Sequence, residues 1–347
     1  MSSTTFLPPL KRTDLGNVRR SNSEPMRNID WILMLATLGI AAVGLLAIYS
    51  TSRPFLLYRG FDPYTYTQRQ VIFLVIGAFV MAAVMSIDYG ELKERAAGLY
   101  LLTILTLLAV LILGTGPAGS GANAWFDLGP ILVQPSEFAK VTVLVLIAGY
   151  LADERTGQLT YARFISVLAL ATIGALIGSG FVKEYQVQRL TAFTVQNTEN
   201  EQLKDLVQQV RNSKRAIATG GLSGKGYLNG PLTNGRFIPV QWTDFVFSGI
   251  AEQFGLIGTI TLLMLYFFVL FRIWRIARLA RDDFGLYICV GAMTMIAWHV
   301  FENIGMTMGI MPVTGIPLPL VSYGGSSTIA TLAMIGLVQN VHMRRMR

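Results

Sequence analysis

The chain has 347 residues, of which 52% are hydrophobic and 14% charged, and a formal net charge of +8. A soluble domain is nearer about 25% charged, so water is not the main solvent of this chain. Its one cysteine, Cys289, and two histidines, His299 and His342, exclude a disulfide framework and a zinc site built on Cys or His.

The first 30 residues are polar, rich in Ser and Thr and without an apolar core, so they read as a disordered basic cytoplasmic tail and not as a signal peptide. From residue 31 the apolar residues come in runs. A helix crossing the roughly 30 Å hydrocarbon layer needs about 20 of them, with every backbone polar group satisfied inside the helix. Eight runs qualify in chain order: 31–50, 71–87, 96–114, 138–152, 164–181, 248–271, 284–304 and 318–341. The expectation is an all-α integral membrane protein, a bundle of about eight transmembrane helices over 31–347 with a large extracytoplasmic loop at 182–247.

Lys and Arg in short loops favour the cytoplasmic side. Lys11, Arg12, Arg19, Arg20 and Arg27 precede the first run, Arg272, Arg275, Arg278 and Arg281 follow the sixth, and Arg344, Arg345 and Arg347 close the chain. Eight spans therefore put both termini in the cytoplasm and the loops 115–135 and 305–317, which have no Lys or Arg, outside. The positive charge is read as adhesion to anionic lipid heads, and no basic surface with interleaved aromatics speaks for nucleic acid.

Four polar segments exceed what a lipid anchor needs. The first, GSGANAWFDLGPILVQPSEFAK, runs from Gly119 to Lys140. Pro135 and Ser136 make a helix start, Glu137 and Lys140 share a helical face and can neutralise each other, and Trp125 is an interfacial anchor or a cavity wall. The second, EYQVQRLTAF, places Tyr185 and Arg189 four apart, with Arg189 suited to a phosphate or simply snorkelling. The third runs from Lys214 to Gly255. Glycines 220, 221, 224 and 226 surround Lys225, and such a loop lets backbone amides approach an anion. It is no Walker A loop, because Gly226 stands where Ser or Thr is needed. Asp244, at the mouth of the sixth span, has the chemistry of a helix N-cap. The fourth, GIMPVTGIPLPLVSYGGSS, has three prolines and four glycines, which make irregular backbone lining a cavity. Ser322 and Gly324 in it are candidates for holding a head group.

Taken in order, GANAWFDLG with QPSEFAK, YQVQRLTAF, AIATGGLSGKG, TDFVFSGIAEQFGLIG and NIGMTMGIMPVTGIPLPLVSYGGSS resemble the SEDS family of shape, elongation, division and sporulation proteins, nearest its rod-shape branch. The resemblance implies a peptidoglycan glycosyltransferase in a bacterial cytoplasmic membrane, polymerising lipid II into glycan strands on the outer face. It gives Asp244 the role of catalytic base and makes Arg189 and Lys225 partners of the pyrophosphate, with Trp125, Glu137 and Lys140 shaping the cavity. A divalent cation such as magnesium could assist, although no ligand cluster demands one. The implied partners are a class B penicillin-binding protein, a transpeptidase, and the elongation or division machinery.

The chain departs from the family pattern in two places. It lacks the QPDxGT motif, within a region of about two further spans, so the usual ten spans become eight. Gln253 stands where many relatives have a second Glu after Glu252. A lipid II flippase and a catalytically impaired scaffold for cell-wall enzymes are the competing readings.

Overall fold

A computed structural model describes residues 28–116, 124–127, 129, 132–152, 193 and 201–345. Its helices are α1 (Trp31–Tyr58), α2 (Thr65–Ser86), α3 (Tyr89–Leu113), α4 (Pro135–Ala152), α5 (Glu201–Gly220), α6 (Pro231–Asn234), α7 (Val246–Arg278), α8 (Asp283–Thr307) and α9 (Gly325–Arg344). Between α3 and α4 lies an antiparallel two-stranded hairpin, β1 (Phe126–Asp127) with β2 (Leu132–Val133).

Among the described residues six helices are long and apolar enough to cross a membrane: α1, α2, α3, α4, α7 and α8. Seven of the eight expected spans coincide with helices once α9 is added, and the eighth, 164–181, lies outside the described residues. The last span needs correction. Expected over 318–341, it begins only at Gly325, and the preceding residues are irregular. Thr328, Thr331, Gln339, Asn340, His342 and Arg344 are buried in α9, which packs against α2, α4 and α8 at the centre of the bundle. A helix that meets protein on every side can carry polar groups, provided that they find partners.

They find them at one end of the bundle. The Gln339 side chain donates to Asp30 O at 2.9 Å and accepts from Asp30 N at 3.0 Å. The Asp30 carboxylate caps α1 through Leu33 N–H at 3.0 Å and takes Arg272 Nε of α7 at 3.0 Å on Oδ2, with Arg272 Nη2 on the same oxygen. One aspartate thus joins α1, α7 and α9. Next to it, Asn340 donates to the carbonyls of Val84 and Ile87, and Arg344 to those of Met85 and Ser86. These are carbonyls at the C-terminal end of α2, where a helix leaves its last four without an internal partner.

Burial pushes the Asp30 carboxyl up, and the Arg272 guanidinium together with the Leu33 amide more than offsets this, so that it ionises below the usual carboxylate range. A depressed carboxyl contributes stability above its unfolded-state pKa and loses it as pH falls through the folded one. Asp30→Asn should therefore lower stability at neutral pH by about 3 kcal/mol, the scale of a broken buried pair. In thermal unfolding in micelles the gap from wild type should narrow below about pH 4, the usual carboxylate range. A gap that persists unchanged at pH 3 would show that the charge contributes nothing.

Candidate active site

At the opposite end of the bundle the chain from Ile238 to Phe245 crosses between α6 and α7 without forming a helix. Three consecutive carbonyls in it are each taken by a neighbouring element. Trp242 O accepts from Tyr323 N–H at 2.9 Å, Thr243 O from Ser322 Oγ at 2.5 Å, and Asp244 O from Asn303 Nδ2 at 3.0 Å. Ser322 also accepts from Leu318 N–H at 2.9 Å, and Asn303 donates a second bond to Ile316 O at 2.9 Å. The irregular segment 308–324 therefore folds against α8 and in turn holds residues 242–244. Ser322 and Asn303 are 2% and 0% exposed, so these bonds form out of water.

Asp244 is half-buried and lies one position before the first cap of α7. The expectation that it is an N-cap is corrected here: Phe245 occupies that place and α7 has no side-chain cap hydrogen bond. Phe245, 2% exposed, plugs into a small apolar cluster with Ala216, Ile238, Met306 and Val313. Asp244 thus stands between a fixed backbone and an anchored neighbour.

The glycine-rich loop does something other than the sequence suggested. Helix α7 breaks at Gly255, whose φ of 63° is left-handed. The loop between α5 and α6 docks into the break. Lys225 N–H donates to Glu252 O at 2.9 Å and Gly226 N–H to Gln253 O at 3.0 Å, while Leu256 and Ile257 N–H donate to Gly221 O and Leu222 O at 2.9 and 3.1 Å. The Lys225 and Gly226 amides are thus occupied by main chain and do not face an anion. The approach is close enough that a Cβ on Gly224 would lie 2.1 Å from Gln253 O. The Lys225 side chain is exposed, and no described hydrogen bond or ring contact links it to residues 242–244.

Two buried side chains complete this junction. Glu252, 0% exposed, accepts from Leu232 N–H at 2.7 Å, Thr233 N–H at 2.9 Å and Thr233 Oγ1 at 2.6 Å, at the start of α6. Its carboxylate needs no cation, because three donors and a helix N-terminus surround it. Gln253 accepts from Leu228 N–H at 3.0 Å and donates to Ser50 Oγ at 3.2 Å. Ser50 gives its own proton to Ala47 O, so a carboxylate at 253 would find no donor there.

The hairpin β1–β2 and α4 form the neighbouring wall. Trp125 is half-buried and pairs through its backbone with Thr115, N–H to O at 3.1 Å and 2.7 Å in return. Helix α4 starts at Pro135 as expected, and Glu137 and Lys140 form an ion pair at 2.8 Å with Glu137 7% exposed. Gln134 N–H donates to Ser326 Oγ at 2.8 Å, which ties this helix start to the first turn of α9, four residues after Ser322. Gly324 is the cap residue of α9, and its N–H reaches Gln70 Oε1 at 3.3 Å. Arg189 lies outside the described residues.

Several residues of this end escaped the sequence reading. Phe55, Trp242, Tyr66, Tyr323 and Phe73 form a continuous run of ring contacts with centroids 4.9 to 6.4 Å apart. The Arg69 guanidinium lies beside Tyr323, whose phenol burial pushes up. The available signal was charge: Arg53, Arg59 and Arg69 sit between the first two spans, on the side that short-loop Lys and Arg should avoid. Among the described residues no group of three or more His, Cys, Asp or Glu comes together as a metal site.

The family described as cell cycle protein (FtsW, RodA, SpoVE) matches residues 30–177 and 156–347. The chain belongs to this family. Stage V sporulation protein E of Bacillus subtilis is 30% identical over 90% of this chain and 96% of its own length. Peptidoglycan glycosyltransferase MrdB of Escherichia coli is 32% identical over 80% and 86%. Among solved structures, a chain of a peptidoglycan synthase complex superposes with a TM-score of 0.70 at 28% identity, over 91% of this chain and 98% of that one. Rod shape determining protein RodA of Thermus thermophilus gives 0.65 at 29% identity, over 91% and 97%. With six apolar helices of spanning length among the described residues and these relatives, this family member is a multi-pass membrane protein.

The alignment with the Bacillus relative runs to 356 positions while covering 90% of 347 residues. It therefore opens roughly 40 positions opposite nothing in this chain, the length of two spans of about 20 residues. Residues 156–177 match the family twice over, once at the end of the first match and once at the start of the second. Both observations agree with a chain two spans shorter than its relatives, with the join in that stretch.

The docked loop predicts an order of substitution effects. Gly255→Ala and Gly224→Ala combine left-handed backbone with a clash against main chain and should each cost about 3 kcal/mol, the upper end of local strain. Gly221→Ala, also left-handed but with open space around its Cβ, should cost only about 1 kcal/mol. Thermal unfolding of the three variants in micelles checks this, and equal losses would refute the clash.

Proposed function

We propose that the chain is a peptidoglycan glycosyltransferase that polymerises lipid II into glycan strands at the outer face of the cytoplasmic membrane. The observation that carries this is Asp244, a half-buried carboxylate on a segment whose three carbonyls 242–244 are all pinned. Family membership and relatives named as peptidoglycan glycosyltransferases support it. In this reading both termini are cytoplasmic: Arg275, Arg278, Arg281 and Arg345 lie toward the Asp30 end and the Asp244 end faces out.

The reaction is a single inverting displacement. The Asp244 carboxylate takes the proton of the acceptor sugar's 4-hydroxyl as that oxygen bonds to C1 of the lipid-linked donor. The bond from C1 to the pyrophosphate oxygen breaks, and undecaprenyl pyrophosphate departs with the electron pair. A general base of this kind contributes about 10²–10⁴-fold to a rate. The departing charge calls for cations. Lys140, placed near the start of α9 through α4, and Arg69 beside Tyr323 are at this end of the bundle, and Arg189 and Lys225 are the further candidates. Trp125, Glu137, Ser322 and Gly324 would shape the site, Ser322 by positioning Asp244. A divalent cation such as magnesium would act as one more positive charge on the pyrophosphate. A class B penicillin-binding protein is the proposed partner, in keeping with the likeness to a chain of a peptidoglycan synthase complex.

The shortened middle of the chain favours one competitor, a scaffold that has lost catalysis. Purified chain with its cognate transpeptidase and labelled lipid II should yield glycan ladders. Asp244→Ala should reduce them by about 10²-fold or more, with binding to the transpeptidase unchanged. Absence of ladders from wild type and variant alike, with the complex intact, would favour the scaffold. A milder partner experiment concerns Ser322→Ala, which strands Thr243 O out of water. Stability should fall by about 1–3 kcal/mol, and turnover should drop more than the affinity for lipid II. Equal turnover would remove Ser322 from the positioning of Asp244.

A further inference from the structure

Beside the Asp244 end, and separate from it, a cleft of about 130 Å³ lies between α5 and the segment that follows α8. Its walls are apolar, with Phe193, Leu206, Val207 and Val210 on one side and Met311, Pro312 and Val313 on the other. Two cations line it, Arg211 and Lys214, three apart on α5 and so on one face. Gly309, with φ of 70°, makes room for one of them: a Cβ there would meet Lys214 Cε at 2.3 Å and Nζ at 2.6 Å. The lysine stem therefore lies across the lip of the cleft with its ammonium at the rim.

From this arrangement we infer that the cleft binds an anionic phospholipid of the leaflet at the Asp244 end, its phosphate on Arg211 and Lys214 and part of an acyl chain between α5 and residues 311–313. The cleft begins two residues after α8, a helix of membrane-crossing length, comes to its end, which is the depth of the head groups. Met308 and Ile310 at its edge are 43% and 57% exposed, and Phe301, 55% exposed, lies seven residues before Met308 on the same face of α8. An acyl chain thus has an apolar path from the lipid-facing side of α8 to the cleft. Helix α5 is amphipathic, with Lys204, Arg211, Lys214 and Arg215 exposed, the pattern of a helix lying in a membrane interface. It is fixed there by Ser213 Oγ on Thr307 O at 2.7 Å and Asn212 Nδ2 on Phe237 O at 2.8 Å.

The cleft also touches the reaction side. Val210, Met311 and Val313 line it and at the same time pack with the cluster that holds Phe245. A bound lipid braces α5 against 311–313 and, through Phe245, the position of Asp244.

The test is a binding measurement that does not depend on polymerisation, so its failure is distinct from a failure of the proposed activity. The full chain in neutral detergent is titrated with fluorescent short-chain phosphatidylglycerol. Three proteins are compared: wild type, the pair Arg211→Glu with Lys214→Glu, and the pair Lys204→Glu with Arg215→Glu, which changes the charge of α5 equally but lines no cleft. The cleft pair should lose about tenfold or more in affinity, the scale of one charge-assisted contact, with the other pair near wild type. Val210→Trp, which fills the cleft without touching charge, should lose binding as well. Equal losses in both charge pairs, or no binding by wild type, would overturn the inference. So would equal affinity for phosphatidylcholine of the same chain length, or displacement by inorganic phosphate at the concentration of the lipid, which would indicate a site for a free anion.

Discussion

The break in α7 is the constraint on which this end of the molecule depends. A helix interrupted near the membrane exposes carbonyls and amides that lipid cannot satisfy, each at a cost of several kcal/mol. Here the loop 220–226 supplies two amides and two carbonyls to the break, so the interruption is closed by main chain. The first part of α7 is thereby set at its own angle, and it is this part that carries Phe245 and Asp244 at its head. The same dock fixes α5 and α6, because Glu252 caps α6 from within the break. The junction itself is built from main chain and from the Glu252 and Gln253 side chains.

The two ends of the bundle are built on different principles. Toward Asp30, charged and amide side chains of α7 and α9 close the helix ends, and an ion pair sits at the centre. Toward Asp244 the bonds are mainly backbone to backbone, or neutral side chain to backbone. Buried carboxylates there are met by neutral donors, as Glu252 is by Leu232 and Thr233. The Glu137–Lys140 pair is an ion pair at this end, and its position at the start of α4 puts it beside α9 and not in the junction.

The apolar runs made the bundle legible, since a span announces itself by composition alone. The limits of α9 were not legible: its polar residues answer to partners on α1 and α2 that lie more than two hundred positions away, as Gln339 does with Asp30. The loop around Lys225 was misread for a related reason. Glycines that admit an anion and glycines that admit another strand of backbone have the same signature, and only the break at Gly255, some thirty residues on, tells them apart. Asp244 was singled out with the wrong local role, because a carboxylate before a helix usually caps it. Gln70 and Asn303, which hold the surrounding segments, carry no local pattern at all.

Pinning three successive carbonyls has a consequence for the entropy of the site. With residues 242–244 held by Tyr323, Ser322 and Asn303, the Asp244 carboxylate keeps only its two side-chain torsions. Freezing those few rotamers costs far less than ordering a mobile loop, at about 1–2 kcal/mol for each backbone residue. Most of the ordering is completed once, when the chain folds, and under the proposed function need not be repeated at every addition of a sugar to a strand.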